Sequence, residues 1–460
     1  MKNQKEEKIL NKISIEKLKK IAHINIILLI ISYLPIFFFK ISLEFTDLNC
    51  IWITLIYIAG LSSFVTYFIY QYKNKEKNKS KKWLYMYMIM IIISTLFSSN
   101  IGNSIIGDTY LQEGLITYLV YLSLFLNCSI IKDKKYIERI LITFSLVGMI
   151  LSFLTILGYY LGIEFCNKNE YYYRPFLSIF YNENHAAYFF MMTYISSILL
   201  FYFSEKKQSI IYLAFSIIIL HNLILNNTMG CLLSIICCLI LLIIYTIIKK
   251  KYYIHLVTIL TMFLIVCTVN FDTMSGHISF IKTDIDRMET KEASEVNQIG
   301  SNRLALWKYG LQVMIENPLF GCGNENLLEE YKRFEMPERV SKPHNEFIQI
   351  GAFFGIPALI IYLCFLFSIL FPILKNLKTI EPKYATTALI CVSYLISSFF
   401  GVTCFYTTPF LYIFLGITSS FKQIEKIKKK WYNFISRKRG VSFERKIQSN
   451  NRKNIRLFKK

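Results

Sequence analysis

The chain has 460 residues, 54% of them hydrophobic, and a mean hydropathy of +0.42, which is more apolar than a soluble protein of this length requires. On a soluble protein the net charge of +22 would indicate nucleic acid. No Gly-rich phosphate loop, zinc-ligand spacing or RNA-binding aromatic motif accompanies that charge, so a nucleic-acid partner is not expected. The eleven cysteines include no C-x-x-C pair and many lie inside apolar runs, which favours packing residues over a disulfide framework or a metal site.

The apolar residues fall in blocks of about 20, the length at which a helix crosses a hydrocarbon core of about 30 Å. In lipid each block has to satisfy its own backbone hydrogen bonds, so helices are expected and alternating barrel strands are not. The sequence therefore predicts an all-α polytopic membrane protein with about twelve transmembrane helices. We place them at 21–39, 51–70, 83–97, 114–131, 140–163, 186–203, 209–225, 230–248, 253–271, 347–371, 384–401 and 404–420.

The distribution of basic residues predicts the orientation. With a cytoplasmic N-terminus, the inner segments hold 40 of the 52 Lys and Arg residues, whereas the short outer loops hold only Lys40, Lys168 and Arg174. Both termini are therefore expected in the cytoplasm. This divides the chain into a basic N-terminus (1–20), helices one to nine (21–271), a large extracytoplasmic loop (272–346), helices ten to twelve (347–420) and a basic cytoplasmic tail (421–460) on anionic headgroups.

Residues capable of chemistry gather at the outer face. The segment from Arg303 to Ile315 predicts an amphipathic helix, with Leu304, Trp307, Leu311 and Met314 on one face. Asn317 to Gly323 then reads as a tight turn, because Pro and Gly interrupt the helical pattern. The loop ends at Lys342-Pro343-His344-Asn345-Glu346. With Pro343 in the first turn of helix ten, His344 is expected at the membrane boundary beside a helix N-terminus that attracts anions.

The Arg303-x3-Trp307 pattern, the Asn317 to Gly323 turn and the His344-Asn345 pair resemble the O-antigen ligase and polymerase family. The ligase signature of that family is matched from His344-Asn345 through nine residues to Gly355, and departs from the pattern at Ala358. Arg174 with the stretch from Phe180 to His185, and Glu113-Gly114 at the start of helix four, are similar to further family positions. The family's Ser-Arg-Gly is represented by Thr228-Met229-Gly230, which lacks the Arg.

The resemblance implies a GT-C-like fold and glycosyl transfer from a polyprenyl-diphosphate carrier outside the cytoplasmic membrane. It implies catalytic roles for His344, Arg303 and Arg174, and substrate contacts for Asn345, Asn184, Trp307 and Glu113. Arginine suits the diphosphate because its planar fork binds phosphate oxygens in pairs. Histidine suits either the acceptor proton or the diphosphate, a choice that the sequence leaves open. No cofactor and no metal are expected, since no Asp-x-Asp or His cluster lies at the outer surface.

The residue types also allow structural roles. On residue type alone Arg303 would anchor an interfacial helix through a loop carboxylate, His344 would cap a helix, and Trp307 would be an interfacial anchor. The motif context favours function for the first two. For Trp307 an anchoring role is preferred, and stacking on a sugar stays open.

The favoured function is polymerisation of lipid-linked oligosaccharide repeat units into a surface polysaccharide, with a flippase and a chain-length regulator as possible partners. A ligase that transfers finished glycan to lipid A core, protein or wall is the nearest alternative. A flippase or transporter without covalent chemistry fits the helix count, but no internal repeat or matched pair of broken helices supports it. A nonenzymatic sensor or scaffold would leave the motifs unexplained. Convergence of Arg174, Arg303 and His344 on one outward cavity would favour the enzyme.

Overall fold

The computed structural model describes residues 14–39, 45–74, 81–108, 112–162, 178–180, 182–290, 297–334 and 341–421. These residues form helices and connecting turns, and no β-strand occurs among them. The helices of the first half are α1 (Ile15–Ile31), α2 (Tyr33–Phe39), α3 (Phe45–Asn74), α4 (Lys81–Leu96), α5 (Ile101–Ile106), α6 (Leu115–Cys128), α7 (Lys134–Leu161), α8 (Glu183–Tyr202) and α9 (Ile210–Leu225). Those of the second half are α10 (Met229–Lys249), α11 (Tyr253–Val269), α12 (Phe271–Thr290), α13 (Arg303–Glu316), α14 (Leu327–Tyr331), α15 (Glu346–Phe354), α16 (Ile356–Lys375), α17 (Pro382–Ser397) and α18 (Thr408–Phe421).

Eight spans among the described residues are long and apolar enough to cross a membrane, or nine if the bent pair α11–α12 is counted as one. The shorter helices α6 and α18 are also apolar. The all-α polytopic fold is thereby confirmed, because single apolar helices satisfy their own backbone in lipid. The number of about twelve spans stays a prediction, although a helix lies at each predicted block.

Helix α8 is the centre of the bundle. It is buried along almost its whole length and packs against α7, α9 and α17. The peripheral helices instead expose apolar side chains such as Leu61 and Phe68 of α3 and Ile247 of α10. An apolar surface of this kind is expected where helices face lipid. The central position of α8 fixes its N-terminal end, which carries Asn184, at one end of the bundle.

The predicted helix ten (347–371) is two helices. Helix α15 ends at Phe354, and Gly355, at φ 87°, separates it from α16. This break leaves the carbonyls of Ala352 and Phe353 free to accept the N–H groups of Cys322 (2.9 Å) and Gly323 (3.0 Å). The turn at Asn317 to Gly323 therefore pairs with the broken helix, and the segment between α13 and α15 is fastened to the helix bundle by backbone hydrogen bonds.

The predicted helix from Arg303 is confirmed as α13, but the face assigned to it is wrong. Its buried residues are Ala305, Leu306, Gly310 and Val313, whereas Leu311 is 40% exposed. Packing at Gly310 explains the rotation, because a β-carbon there would meet the Ile348, Pro343 and Tyr331 side chains. The helix therefore places Gly310 against the neighbouring chain segments, and Leu306 and Val313 are buried on the same face.

Candidate active site at one end of the helix bundle

A cavity of about 570 Å³ opens at the end of the bundle where α8 begins. Its walls come from five separate parts of the chain: the start of α8, the α9–α10 turn, the middle of α12, the start of α13 and the loop before α15. The lining residues are Glu183, Asn184, Asn227, Thr228, Met229, Gly276, His277, Phe280, Ser301, Asn302, Arg303, Leu306 and His344. Three residues selected from the sequence (Asn184, Arg303 and His344) therefore meet in one cavity.

Three helices begin at this cavity. The capping residues are Asn182 for α8, Thr228 for α10 and Asn302 for α13. The first N–H groups of a helix have no partner within the helix, and the helix dipole adds a partial positive charge there. Three such ends around one space create a region that attracts anions, in addition to the charge of Arg303. The α10 end is the position at which the family's Ser-Arg-Gly is replaced by Thr228-Met229-Gly230.

Arg303 is the cation of the cavity wall. It is the first residue of α13, and one long hydrogen bond of 3.4 Å joins its Nη1 to the carbonyl oxygen of Gly300. The Asp284 and Glu183 carboxylates act on it electrostatically, and burial lowers the pKa of its guanidinium. A guanidinium has five N–H donors, so Arg303 retains donors for an anion placed in the cavity.

His344 lies in the loop before α15 and not in the first turn of the helix, which corrects the expectation from Pro343. The helix starts at Glu346 and is capped by Asn345. His344 adopts a left-handed conformation at φ 51°, and its carbonyl accepts a 3.4 Å hydrogen bond from Trp307 Nε1. A left-handed backbone is uncommon outside glycine, so the surrounding contacts hold the ring at the cavity.

The environment of His344 favours the neutral imidazole. Burial, together with the nearby positive charges of Arg303 and Lys342, lowers the pKa of His344 to about 4. The neutral ring has one nitrogen that accepts a proton or hydrogen bond and one that donates. At neutral pH His344 therefore offers one ring nitrogen that accepts a hydrogen bond from a hydroxyl group and one that donates to a phosphate oxygen.

Two other residues selected from the sequence have roles in local structure. The Oδ1 atom of Asn345 accepts hydrogen bonds from the N–H groups of Phe347 (3.0 Å) and Ile348 (3.1 Å), so this side chain caps α15. Trp307 is partly buried beside Phe400 and is not among the cavity-lining residues. Arg174 lies outside the described residues.

Asn184 is in the first turn of α8 and lines the cavity. Its backbone N–H (2.8 Å) and its Nδ2 (3.1 Å) both donate to Asn182 Oδ1. The side-chain oxygen of Asn184 is not used in this Asn182 contact. The capping arrangement therefore presents a polar side chain next to the α8 N-terminus.

Glu113 is not at the cavity surface but in a buried charge cluster with Glu325 and Lys342. The Nζ atom of Lys342 lies 2.8 Å from Glu113 Oε2 and 3.0 Å from Glu325 Oε1, and the exposed fraction of each residue is 4% or less. Tyr121 and Thr403 donate hydroxyl hydrogen bonds to Glu113. The cluster joins the segment before α6, the loop after α13 and the loop that carries His344.

The two carboxylates of the cluster control the charge of its members. Burial lowers the pKa of Lys342, but the Glu113 and Glu325 carboxylates outweigh burial and raise it above its usual value. Burial raises the pKa of Glu325 to about 7, with Lys342 opposing this and Glu113 adding to it. Lys342 thus stays charged and holds two segments to the loop two residues before His344.

Sequence reasoning missed two parts of this arrangement. Helix α12 lines the cavity with Gly276, His277 and Phe280, none of which was selected from the sequence. The apolar residues at 271, 274, 278, 281, 285 and 288 have helical spacing and would have revealed the helix. No pattern in the sequence assigned a role to Lys342 or Glu325. Within the described ranges no three His, Cys, Asp or Glu side chains group to hold a metal ion.

Comparison with known proteins found one family model, which covers part of the cavity-lining segments. The family model described as O-antigen ligase matches residues 213–363, from α9 through the cavity-lining loops to α16. No curated protein matches the chain. The matched segment contains Arg303, the Asn317 to Gly323 turn and His344, on which the resemblance rested. This segment is therefore similar to O-antigen ligase, and the match supports an O-antigen ligase and polymerase family, which implies polyprenyl-linked glycans as substrates and embedding in the membrane.

Proposed function

We propose that this protein polymerises polyprenyl-diphosphate-linked oligosaccharide repeat units into a surface polysaccharide. We infer that the site lies on the outer face of the cytoplasmic membrane, with both termini in the cytoplasm, because the predicted inner loops hold most of the Lys and Arg residues. In this proposal a flippase supplies the lipid-linked units and a chain-length regulator is a partner. The donor, the acceptor and the bilayer are then the molecules that the site must accommodate.

The observation that carries the proposal is the meeting of Arg303 and His344 in one cavity at the start of α8. A leaving diphosphate needs positive charge, which Arg303 and three helix N-termini supply. An attacking hydroxyl needs a proton acceptor, which the neutral His344 supplies. Asn184 provides a further polar contact on the cavity wall. We assign Arg174 to the diphosphate as well, on the family resemblance alone.

The step itself is a displacement at the anomeric carbon of the donor sugar. The acceptor hydroxyl oxygen forms the new C–O bond while the bond to the diphosphate oxygen breaks. The hydroxyl proton passes to the imidazole of His344, and the polyprenyl diphosphate leaves with its charge compensated by Arg303. Direct displacement inverts the anomeric carbon, and on the family resemblance we expect no metal ion to be required. Asn345, Trp307 and Glu113 support this site from the positions described above.

A ligase that delivers finished glycan to lipid A core, protein or wall is the second candidate. The matching family model is described as O-antigen ligase, and the match fits ligase and polymerase activity alike. The departure at Ala358 from the ligase signature favours polymerisation, and this residue is fully buried in α16. Both reactions use the same donor, so the same two residues would serve either one.

The test compares surface glycan and lipid-linked intermediates in the native host for wild type, Arg303→Ala and His344→Ala at matched membrane expression. For a polymerase, both variants lose long glycan and accumulate single lipid-linked repeat units. Accumulation of full-length glycan on the carrier would instead establish the ligase. Normal glycan in both variants would contradict the site assignment and would move a transporter without covalent chemistry to first place.

A further inference from the structure

Helix α12 turns sharply away from the membrane span before it. The break at Asn270 sets α12 at 86° to α11. If α11 crosses the bilayer, a helix at this angle runs along the membrane plane. Its 20 residues include Lys282, Asp284, Asp286, Arg287 and Glu289, and these charges exclude it from the hydrocarbon core. The direction and composition together fit a helix that lies on the membrane and does not span it.

Three sides of α12 have different surroundings. One side faces the protein, where Asp284 Oδ2 accepts a 3.1 Å hydrogen bond from the Gly300 N–H and Arg287 pairs with Asp284. A second side carries Gly276 and Phe280, which line the cavity. The third is an apolar stripe at intervals of three to seven residues, whose members remain exposed: Phe271 (63%), Ile278 (66%), Ile281 (47%), Ile285 (50%) and Met288 (56%).

The apolar stripe continues the exposed apolar surface of α11. Leu264 is 63% exposed and Val269 73% exposed, and Phe271 follows Val269 directly across the break. Lipid is the expected neighbour of such a surface on a membrane span. The same neighbour is therefore expected along the stripe, because the exposed Val269 and Phe271 stand on either side of the buried Asn270.

We propose that α12 lies in the bilayer interface on the cavity side of the membrane, with lipid acyl chains covering the stripe from Phe271 to Met288. The helix has four acidic and two basic residues, so burial of apolar surface and not attraction to anionic headgroups holds it there. Because Asp284 contacts the Gly300 N–H near the start of α13, the interfacial helix also fixes the depth of the cavity wall. This inference does not depend on the reaction proposed above.

The experiment places one additional tryptophan on each side of α12 in the full chain, reconstituted in phosphatidylcholine nanodiscs. Ile281→Trp adds a probe in the stripe, and Ser279→Trp adds one on an exposed polar side. The emission of the parent, which has four tryptophans, is subtracted. Bromine atoms high on the acyl chains are expected to quench the Ile281→Trp signal about twofold more strongly than the Ser279→Trp signal. Equal quenching of the two probes would overturn the proposal. It is the result expected if a second copy of the chain, and not lipid, covered the stripe.

A second measurement keeps the proposal open to refutation if a tryptophan disturbs the helix. Hydrogen exchange of residues 271–290 in nanodiscs is measured for two double variants and for wild type. One double variant combines Ile281→Asn and Ile285→Asn in the stripe, and the matched control combines Ser279→Asn and Thr283→Asn. The stripe pair is expected to exchange faster than wild type, and the control pair is not. The same rate in both pairs, or quenching that appears only with anionic lipid, would contradict attachment by the apolar stripe.

Discussion

The cavity and the buried charge cluster of Glu113, Glu325 and Lys342 are neighbours with opposite properties. In the cavity, Arg303 retains donors and His344 stays neutral, so both can act on a bound molecule. In the cluster, the Lys342 ammonium pairs with two carboxylates that are almost completely buried. Lys342 and His344 are only two residues apart. The left-handed backbone at His344 lets one short loop serve both regions.

This difference separates residues that hold the structure together from residues that act on a ligand. A charge with all its partners inside the protein positions the chain, whereas a charge with open donors is available to a ligand. We therefore expect substitutions in the cluster to change stability first, and substitutions in the cavity to change the reaction rate with little change in stability. The following measurements test that division, beginning with the largest expected effect.

Lys342→Met should cause the largest loss of stability. It leaves two buried carboxylates without their counter-charge, at a cost of about 3–5 kcal/mol. The measurement is the thermal midpoint of the purified protein in detergent, with Lys308→Met, an exposed lysine of α13, as the matched control. Adding Glu113→Gln and Glu325→Gln should restore much of the loss. A Lys342→Met protein as stable as the control would show that the cluster does not hold the loop.

Arg303→Ala should reduce the rate of glycosyl transfer about 10²–10³-fold, the usual cost of removing one group that stabilises developing charge. The thermal midpoint should change little, because the guanidinium makes one long hydrogen bond among the described residues. Transfer is assayed with a lipid-linked donor in detergent. Arg333→Ala is the control, since Arg333 is exposed and pairs with Glu316 at 2.9 Å. Equal rates for the two variants would remove Arg303 from the reaction.

Glu325→Gln should change how stability depends on pH. The pKa of Glu325 is raised to about 7, so the native state holds a proton that the unfolded state has already lost above about 4.5. Stability from this group is full below the unfolded pKa and is lost as the pH rises through 7. Lys342, Glu113 and Asp108 are the charges that act on it.

The variant should therefore lose less stability than wild type between pH 5 and pH 8. We expect a difference of about 2–3 kcal/mol, because about two pKa units of the Glu325 shift lie between pH 5 and pH 7 and each unit is about 1.4 kcal/mol. Thermal midpoints across this range provide the measurement, with Glu329→Gln as the exposed control. Parallel pH profiles for Glu325→Gln and wild type would show that Glu325 is ionised throughout.

The smallest effect concerns the acid limb of kcat/KM, which reports the free enzyme. If His344 is the proton acceptor, activity should fall as the pH drops through about 4, where its imidazole takes up a proton. In Arg303→Gln one neighbouring positive charge is gone, so the pKa of His344 and the acid limb should both move upwards. Lys308→Gln should leave the limb in place. An unmoved limb in Arg303→Gln would mean that another group titrates.

The sequence predicted the helices well because apolar blocks of membrane length leave few alternatives. It also predicted that Arg303, His344 and Asn184 serve one site, through motifs that lie far apart in the chain. It could not predict the buried face of α13, since Leu304 and Trp307 looked more suitable than Gly310. It could not assign Glu113 to Lys342 either, because a pairing across 229 positions leaves no local pattern.

Helix α12 shows a different cause of failure. Its charges made the segment read as a plain loop, although its apolar residues have helical spacing. The position of His344 outside the helix was not predicted, because Pro343 suits a first helical turn. In the structure Asn345 is the N-cap, so α15 begins after His344. In both cases two local rules competed, and packing against the rest of the bundle decided between them.

The pairing of the Asn317 to Gly323 turn with the broken helix has a consequence for building chimeric proteins. The Ile356 N–H also donates to the Pro318 carbonyl, at 2.8 Å, so the fastening has bonds in both directions. A β-carbon at Gly321 would collide with the Phe353 carbonyl group, and one at Gly355 with the Leu319 carbonyl oxygen. The two segments pack against each other closely, so a chimeric protein has to take both from the same parent. A segment from Asn317 to Gly323 transplanted from a relative therefore needs the matching break between α15 and α16 from the same relative, because otherwise it would not pack against the bundle.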